Sequence, residues 1–231
     1  DWNLDAYVRL GEEVVQAVAW RSLWIAVLTT VLCLLLAYPL AFYISTRRPV
    51  IRNLLLIGIM IPFWSNFLIR TYAWRVLLSS DGLSTRIVEE LGLGEGRILF
   101  TQPAVILGLV YGYLPFMVLP LYAAIERIDW SLVEGARDLY ASGWKAFRRV
   151  VWPLSRPGVI AGSILVFVPS FVAYVTPAIL GGNKESLMGS YIVDQFMDAR
   201  NGPLGSSLSV LVLGVMLIGT MIYFRQGGRN L

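Results

Sequence analysis

Asp129-Trp-Ser-Leu-Val-Glu-Gly-Ala-Arg-Asp-Leu-Tyr-Ala-Ser-Gly-Trp-Lys-Ala-Phe-Arg-Arg-Val-Val-Trp-Pro-Leu154 is a charged segment set between two long apolar runs. Ser131 followed three residues later by Glu134 has the spacing of a capping box, which starts a helix. Leu132, Ala136 and Leu139 then share one apolar face. Ala141-Ser142-Gly143 interrupts that face. Ser142 is placed to cap a second helix carrying Phe147 and Val150, and Pro153 marks the turn into the next run. The expected product is a helix, a turn and a second helix at the membrane surface, with Arg148 and Arg149 near the headgroups. An amphipathic helix held in so short a loop needs a cover for its apolar face. Two readings supply one: docking in the groove of a soluble partner, which would pass the partner's motion into two spans, or lying flat on lipid.

The flanking sequence sets the class. The chain of 231 residues is 57% hydrophobic and only 15% charged, where soluble domains carry nearer a quarter charged residues. Its mean hydropathy is +0.66. Five uncharged runs stand out: Ser22–Thr46, Asn53–Ile69, Ile98–Ile125, Pro157–Asn183 and Asn201–Phe224. A bilayer core needs about 20 helical residues, and four runs exceed that. Asn53–Ile69 reaches only about 26 Å at 1.5 Å per residue. Extending it to Leu78, with Arg70 snorkelling and Tyr72 and Trp74 as interfacial anchors, completes the span, and Pro62 is expected to kink it. The reading is an all-α polytopic membrane protein of five spans and one domain, residues 1–231, with a polar loop at 126–157. Between spans, Ile87–Leu91 and Leu187–Met197 are expected as surface-lying helices, the second apolar enough to dip into the membrane or line a cavity.

Charge orients the bundle. With Asp1 outside, the inner segments Arg47–Arg52, Glu126–Arg156 and the tail from Arg225 hold 11 of the 19 basic residues and 4 of the 15 acids. The positive-inside rule therefore puts these segments in the cytoplasm. Trp2–Ala19 is polar and mixed, unlike a signal peptide.

Several chemistries are excluded by composition. Histidine is absent and Cys33 is the one cysteine, which removes most metal sites, disulfides and thiol catalysis. Ser163 and Ser170 have no base for an intramembrane protease. No Gly-x4-Gly-Lys-Ser/Thr phosphate loop occurs, and Gly181-Gly-Asn-Lys-Glu-Ser186 lacks its spacing. An ion channel or scaffold stays open on hydropathy alone, but neither calls for the capped two-helix loop.

The loop resembles the one that defines permeases of ABC importers: Glu-Ala-Ala, then a glycine, then Leu-Pro near the next span. The pattern falls on Glu134-Gly135-Ala136, Tyr140 and Trp152-Pro153, and Arg137-Asp138-Leu139 and Ala141-Ser142 are also family-like. Gly135, Tyr140 and Trp152 depart from it. Tyr140 stands where the family has its turn glycine, and Gly143 is expected to supply the flexibility instead. The resemblance implies a type I importer permease whose residues Glu134 to Gly143 form the ATPase-coupling helix. It also implies a second permease subunit, two cytoplasmic ATPase subunits, an extracytoplasmic binding protein and a bacterial inner-membrane location. ATP and Mg would be used by the partner ATPase, with no cofactor, metal or catalytic residue on this chain. Family members carry one more span ahead of the first run, so such a span is expected before Asp1.

Pro62-Phe-Trp-Ser-Asn-Phe-Leu-Ile-Arg-Thr-Tyr-Ala-Trp74 and Gly112-Tyr-Leu-Pro-Phe-Met-Val-Leu-Pro-Leu121 are similar to the permeases of spermidine/putrescine type. A polyamine is held by carboxylates and aromatic faces. Trp64, Asn66, Tyr111, Tyr174 and Asp194 are accordingly the candidates for the substrate path. Plainer roles stay open for four of them: interfacial belt for the aromatics, helix packing for Asn66. Related permeases take ferric iron, sulfate-like anions or phosphonates, which stay as alternatives.

Overall fold

The computed structural model describes residues 11–80, 82, 98–182 and 186–227. Everything described is helix, turn or irregular chain, with no strand among the described residues. The piece expected at Ile87–Leu91 lies outside them. In chain order the α-helices are α1 (Glu13–Ser45), α2 (Pro49–Trp64), α3 (Phe67–Leu77), α4 (Gln102–Glu126), α5 (Ser131–Asp138), α6 (Gly143–Ala146), α7 (Trp152–Phe171), α8 (Met188–Met197) and α9 (Gly202–Gly227). Phe147–Val151 is a π-helical turn that joins α6 to α7, and Pro177–Gly181 is a second π turn.

Among the described residues, Glu13–Ser45, Gln102–Glu126 and the continuous Gly143–Phe171 are long and apolar enough to cross a membrane. The pair α2 and α3 makes a fourth if counted as one broken span. The fifth run forms α9, whose Gly202–Leu217 part is apolar and shorter. α1 starts nine residues before the apolar run that predicted it. Arg21 limits a hydrophobic window but not a helix, and Glu13 to Arg21 contain neither glycine nor proline.

Two spans differ from expectation. The second breaks at Ser65–Asn66, beyond Pro62, which sits inside α2. Asn66 is the reason: its backbone is extended (φ −59°, ψ 133°) and its side chain accepts the Leu68 N–H at 2.8 Å, an N-cap that starts α3 afresh. The run Pro157–Asn183 gives out at Phe171. Pro177 offers no N–H to the Ala173 carbonyl, and the chain passes through non-helical Ala173 and Tyr174 before entering the π turn.

Contacts divide the chain into two compact units, and α1, α4 and α7 each contribute to both. The first comprises residues 1–29, 65–111 and 167–231. Its core joins Val15 of α1, Met188 of α8 and Leu204, Leu208 and Val212 of α9. The first turn of α8 is buried rather than surface-lying: the Met188 N–H donates to Ser22 Oγ at 2.7 Å, and Ser190 Oγ donates to the Tyr174 carbonyl at 3.5 Å. Gly189 lies so close to the interrupted segment that a Cβ there would sit 2.1 Å from the Val172 oxygen.

The second unit comprises residues 30–64 and 112–166. Cys33, Ala37, Ala41 and Ile44 make a fully buried stripe of mostly small side chains along α1. α7 meets α4 through Gly158 and Gly162, whose added Cβ atoms would stand 2.6 Å from the Pro120 carbonyl oxygen and 2.7 Å from Met117 Sδ. Gly158-Val-Ile-Ala-Gly162 is the small-xxx-small spacing that lets membrane helices pack closely.

Candidate functional site

The polar loop folds as helix, turn, helix, by means that differ in part from those expected. The capping box does not form. Trp130 occupies the N-cap position without a side-chain bond, and Asp129 Oδ1 accepts the Ser131 N–H at 3.0 Å. Asp129 wins because an aspartate two residues ahead closes an Asx turn before Ser131 can act. Bonding from Ser131 also holds the exposed Asp129 carboxyl below the usual carboxylate range. Ser142 caps the next helix as expected, accepting the Lys145 N–H at 3.4 Å. Pro153 makes no turn: α6, the π turn and α7 run on without a break from Gly143 to Phe171. Pro153 has no N–H for the Arg149 carbonyl, and the wider π turn just ahead absorbs the fault.

Tyr140, not Gly143, makes the bend. The Ala141 N–H bonds the Ala136 carbonyl at 3.1 Å and the Tyr140 N–H bonds the Arg137 carbonyl at 2.9 Å. That is the Schellman pair of bonds, with Tyr140 in its left-handed position at φ 61°. A residue with a Cβ costs about 1–2 kcal/mol there, and Tyr140 is 97% exposed, so no packing of its own ring offsets the cost. Gly135 sits mid-helix with nothing near an added Cβ. Two changes should therefore firm the loop: Tyr140→Gly by relieving strain, Gly135→Ala by helix propensity. Each is expected to slow amide exchange over residues 131–142 by about fivefold, equivalent to ~1 kcal/mol. Unchanged exchange in both would contradict the geometry.

The loop is fastened to the second unit at both ends. Val133 is the buried residue of α5, while Leu132 and Leu139 of the predicted apolar face are exposed. Trp130 meets Phe42 of α1 edge-on at 6.0 Å, and Phe147 packs edge-on against Tyr38 and Phe42 at 5.6 and 6.4 Å. The Tyr38 hydroxyl is paired with Ser155 Oγ at 2.8 Å. Arg52 at the start of α2 forms an ion pair with Glu126 at the end of α4. By contrast Glu134, Arg137, Asp138, Leu139, Tyr140, Ser142 and Gly143 are exposed, and Ala141 is half-buried. The result is a rigid base presenting an uncovered polar and apolar edge.

The substrate-path candidates are scattered more than brought together. Trp64 ends α2 in the second unit, 82% exposed and with no ring partner among the described residues. Asn66 is the α3 cap already described. Tyr111 meets Trp74 edge-on at 5.4 Å, and Trp74 packs beside Leu78, Ala104 and Leu180. Tyr174 lies in the interrupted stretch of the first unit, its carbonyl reached by Ser190. Asp194 follows Ser190 by one helical turn on α8. Burial, and then neighbouring Asp198, raise the Asp194 carboxyl above its usual range.

Sequence reasoning missed Gly158 and Gly162, although their spacing was readable. It also missed Ser22, Gly189 and the aromatic fastening of the loop, which depend on partners far away in the chain.

The sequence matches the family model described as binding-protein-dependent transport system inner membrane component over residues 22–227. It is 41% identical over 225 residues to the spermidine/putrescine transport system permease protein PotB of Haemophilus influenzae, covering 96% of this chain and 79% of that one. With PotB of Escherichia coli it shares 40% identity, covering 97% of this chain and 82% of that protein. The fold is similar to that of a chain in the crystal structure of a bacterial alginate ABC transporter in complex with a periplasmic protein bound to an alginate pentasaccharide. The TM-score is 0.81 at 16% identity, covering 99% of this chain and 84% of the other.

Proposed function

The chain belongs to the binding-protein-dependent transport system inner membrane components, and on that premise we propose that it is the membrane-spanning permease subunit of a polyamine importer. The observation that carries the substrate is the 41% identity to a spermidine/putrescine permease across 96% of the chain. Residues 1–231 form one permease domain, with the basic segments and the loop at 126–157 in the cytoplasm and Asp1 on the outer side. A second permease subunit, two ATPase subunits and an extracytoplasmic binding protein complete the assembly. ATP and Mg are used in the ATPase, and this chain supplies the path.

The mechanism is alternating access. The exposed edge Glu134–Gly143 seats on the ATPase, whose closure pulls residues 131–151. The Trp130, Phe147 and Tyr38 contacts carry that pull into α1 and α7, and Gly158 and Gly162 carry it from α7 into α4. On the transport side, a polyamine ammonium group is held by a carboxylate and by aromatic faces worth about 0.5–2 kcal/mol each. Tyr174 and Asp194 supply that combination, and Trp64, Asn66 and Tyr111 are the further substrate-path residues of this reading.

Asp194→Asn separates the two roles of the carboxylate. A carboxyl whose folded pKa is raised loses stability as pH rises through its titration, because the folded chain must give up a proton that it holds more tightly than the unfolded chain does. Asparagine escapes this and is expected to raise thermal stability at neutral pH, with no gain in acid. Polyamine uptake is expected to fall roughly tenfold for want of the ion pair. A variant with full uptake removes Asp194 from the path.

The class and substrate are tested by ATP hydrolysis in the reconstituted complex with its binding protein. Spermidine and putrescine are titrated against sulfate, ferric iron and a phosphonate. Stimulation by polyamines alone is expected; stimulation by an anion or iron overturns the substrate and leaves the family standing.

A further inference from the structure

A groove of 480 Å³ opens at the polar start of the Gly143–Phe171 helix, lined by Trp144, Phe147, Arg148, Trp152 and Arg156. No acidic residue lines it, and neither arginine has an ion pair among the described residues. Its walls are set in advance: Trp144 stacks on Phe147 at 5.5 Å and 19°, and Tyr38 holds Phe147 and Trp152 from behind at 5.6 and 5.5 Å. Trp144, Arg148, Trp152 and Arg156 are each four residues apart. In an α-helix four residues overshoot one turn by about 40°, so three such steps would spread this column over roughly 120°. The π turn Phe147–Val151 takes more residues per turn and straightens it.

We propose that this groove binds an anionic phospholipid, its headgroup phosphate between Arg148 and Arg156 and its glycerol end against the indoles of Trp144 and Trp152. The charge points to an anion, and two guanidinium groups lining one groove suit phosphate in particular. The depth points to lipid: the groove straddles the junction where the basic stretch Lys145 to Arg156 passes into the uncharged run of α7 from Pro157, the level at which tryptophan and headgroups meet. Basic pockets at this level of membrane helices are headgroup sites. A small soluble anion would leave the three aromatic walls unused. The proposal rests on the reading of the chain as a membrane permease, but not on its substrate.

The test is native mass spectrometry of the purified transporter, stripped of lipid and then titrated with phosphatidylglycerol or phosphatidylethanolamine. One tightly retained phosphatidylglycerol is expected, and Arg148→Gln with Arg156→Gln should weaken its retention by roughly 30-fold, the product of two basic contacts. Arg47→Gln with Arg48→Gln removes the same charge elsewhere and should leave retention unchanged. Equal retention of both lipids, equal loss in both double variants, or displacement by excess inorganic phosphate would each overturn the site. So would loss of the ATPase subunit, with lipid still bound, in the Arg148/Arg156 variant; the groove would then belong to a protein partner. Uptake is not the readout, so a wrong substrate leaves this result intact.

Discussion

Gly189→Ala is expected to destabilise the chain by about 2–4 kcal/mol, the upper end of what a single overpacked position costs. The new Cβ would stand 2.1 Å from the Val172 oxygen, 2.7 Å from its carbonyl carbon and 2.9 Å from the Ala173 oxygen. These are backbone atoms, so no side chain can swing away. Nor can α8 simply retreat. It is tied to α1 by the buried bond from Met188 N–H to Ser22 Oγ and to the interrupted segment by Ser190. Backing off by an ångström would sever that buried bond, and an orphaned buried donor costs about 1–3 kcal/mol by itself. Thermal melting of the purified protein measures the effect. Gly214→Ala is the matched control, because Gly214 lies within α9 with open space around an added Cβ, and it should be neutral or stabilising by up to about 1 kcal/mol. Equal melting of the two variants would refute the close approach.

Glu134→Lys should lower polyamine uptake and binding-protein-stimulated ATP hydrolysis at least tenfold while the permease still folds and inserts. Glu134 is exposed in the first turn of α5, and no side-chain partner is found for it among the described residues. Reversing its charge therefore costs the chain little beyond the helix-terminus effect, about 0.3–1 kcal/mol. A tenfold loss, equivalent to about 1.4 kcal/mol at the interface, would have to arise outside this polypeptide. Co-purification of the ATPase distinguishes failed docking from docking without transmission. Full uptake and normal assembly in the variant would retire Glu134–Gly143 as the ATPase contact.

What could be read from the residues in advance follows physical range. The long apolar runs were legible because hydropathy sums over some twenty residues, and single errors average out. Local capping was half legible: Ser142 behaves as its neighbours imply, whereas Asp129 pre-empts Ser131 because two acceptors compete for the same few N–H groups. Prolines misled twice. Pro62 and Pro153 both sit inside helices, and the break falls instead at Ser65–Asn66, where a side-chain oxygen rewards it. At Tyr140 the bend persists without the expected glycine, since two backbone bonds hold the left-handed residue in place. The Ser22–Met188 bond links residues 166 apart, and nothing in either neighbourhood announces it. The candidate site was legible in the same uneven way: the loop by its charge and spacing, the substrate path only as a set of residue types.

The buried small-residue stripe on α1 has a practical bearing. Its member Cys33 is the one cysteine in the chain and is inaccessible. A cysteine introduced at Tyr140 or Leu139, both almost fully exposed, would then be the sole thiol open to a fluorescent or spin label without any prior removal of a native one. Over these 231 residues such a thiol is the one label site in reach, and from it the motion of the loop can be timed against each round of nucleotide binding.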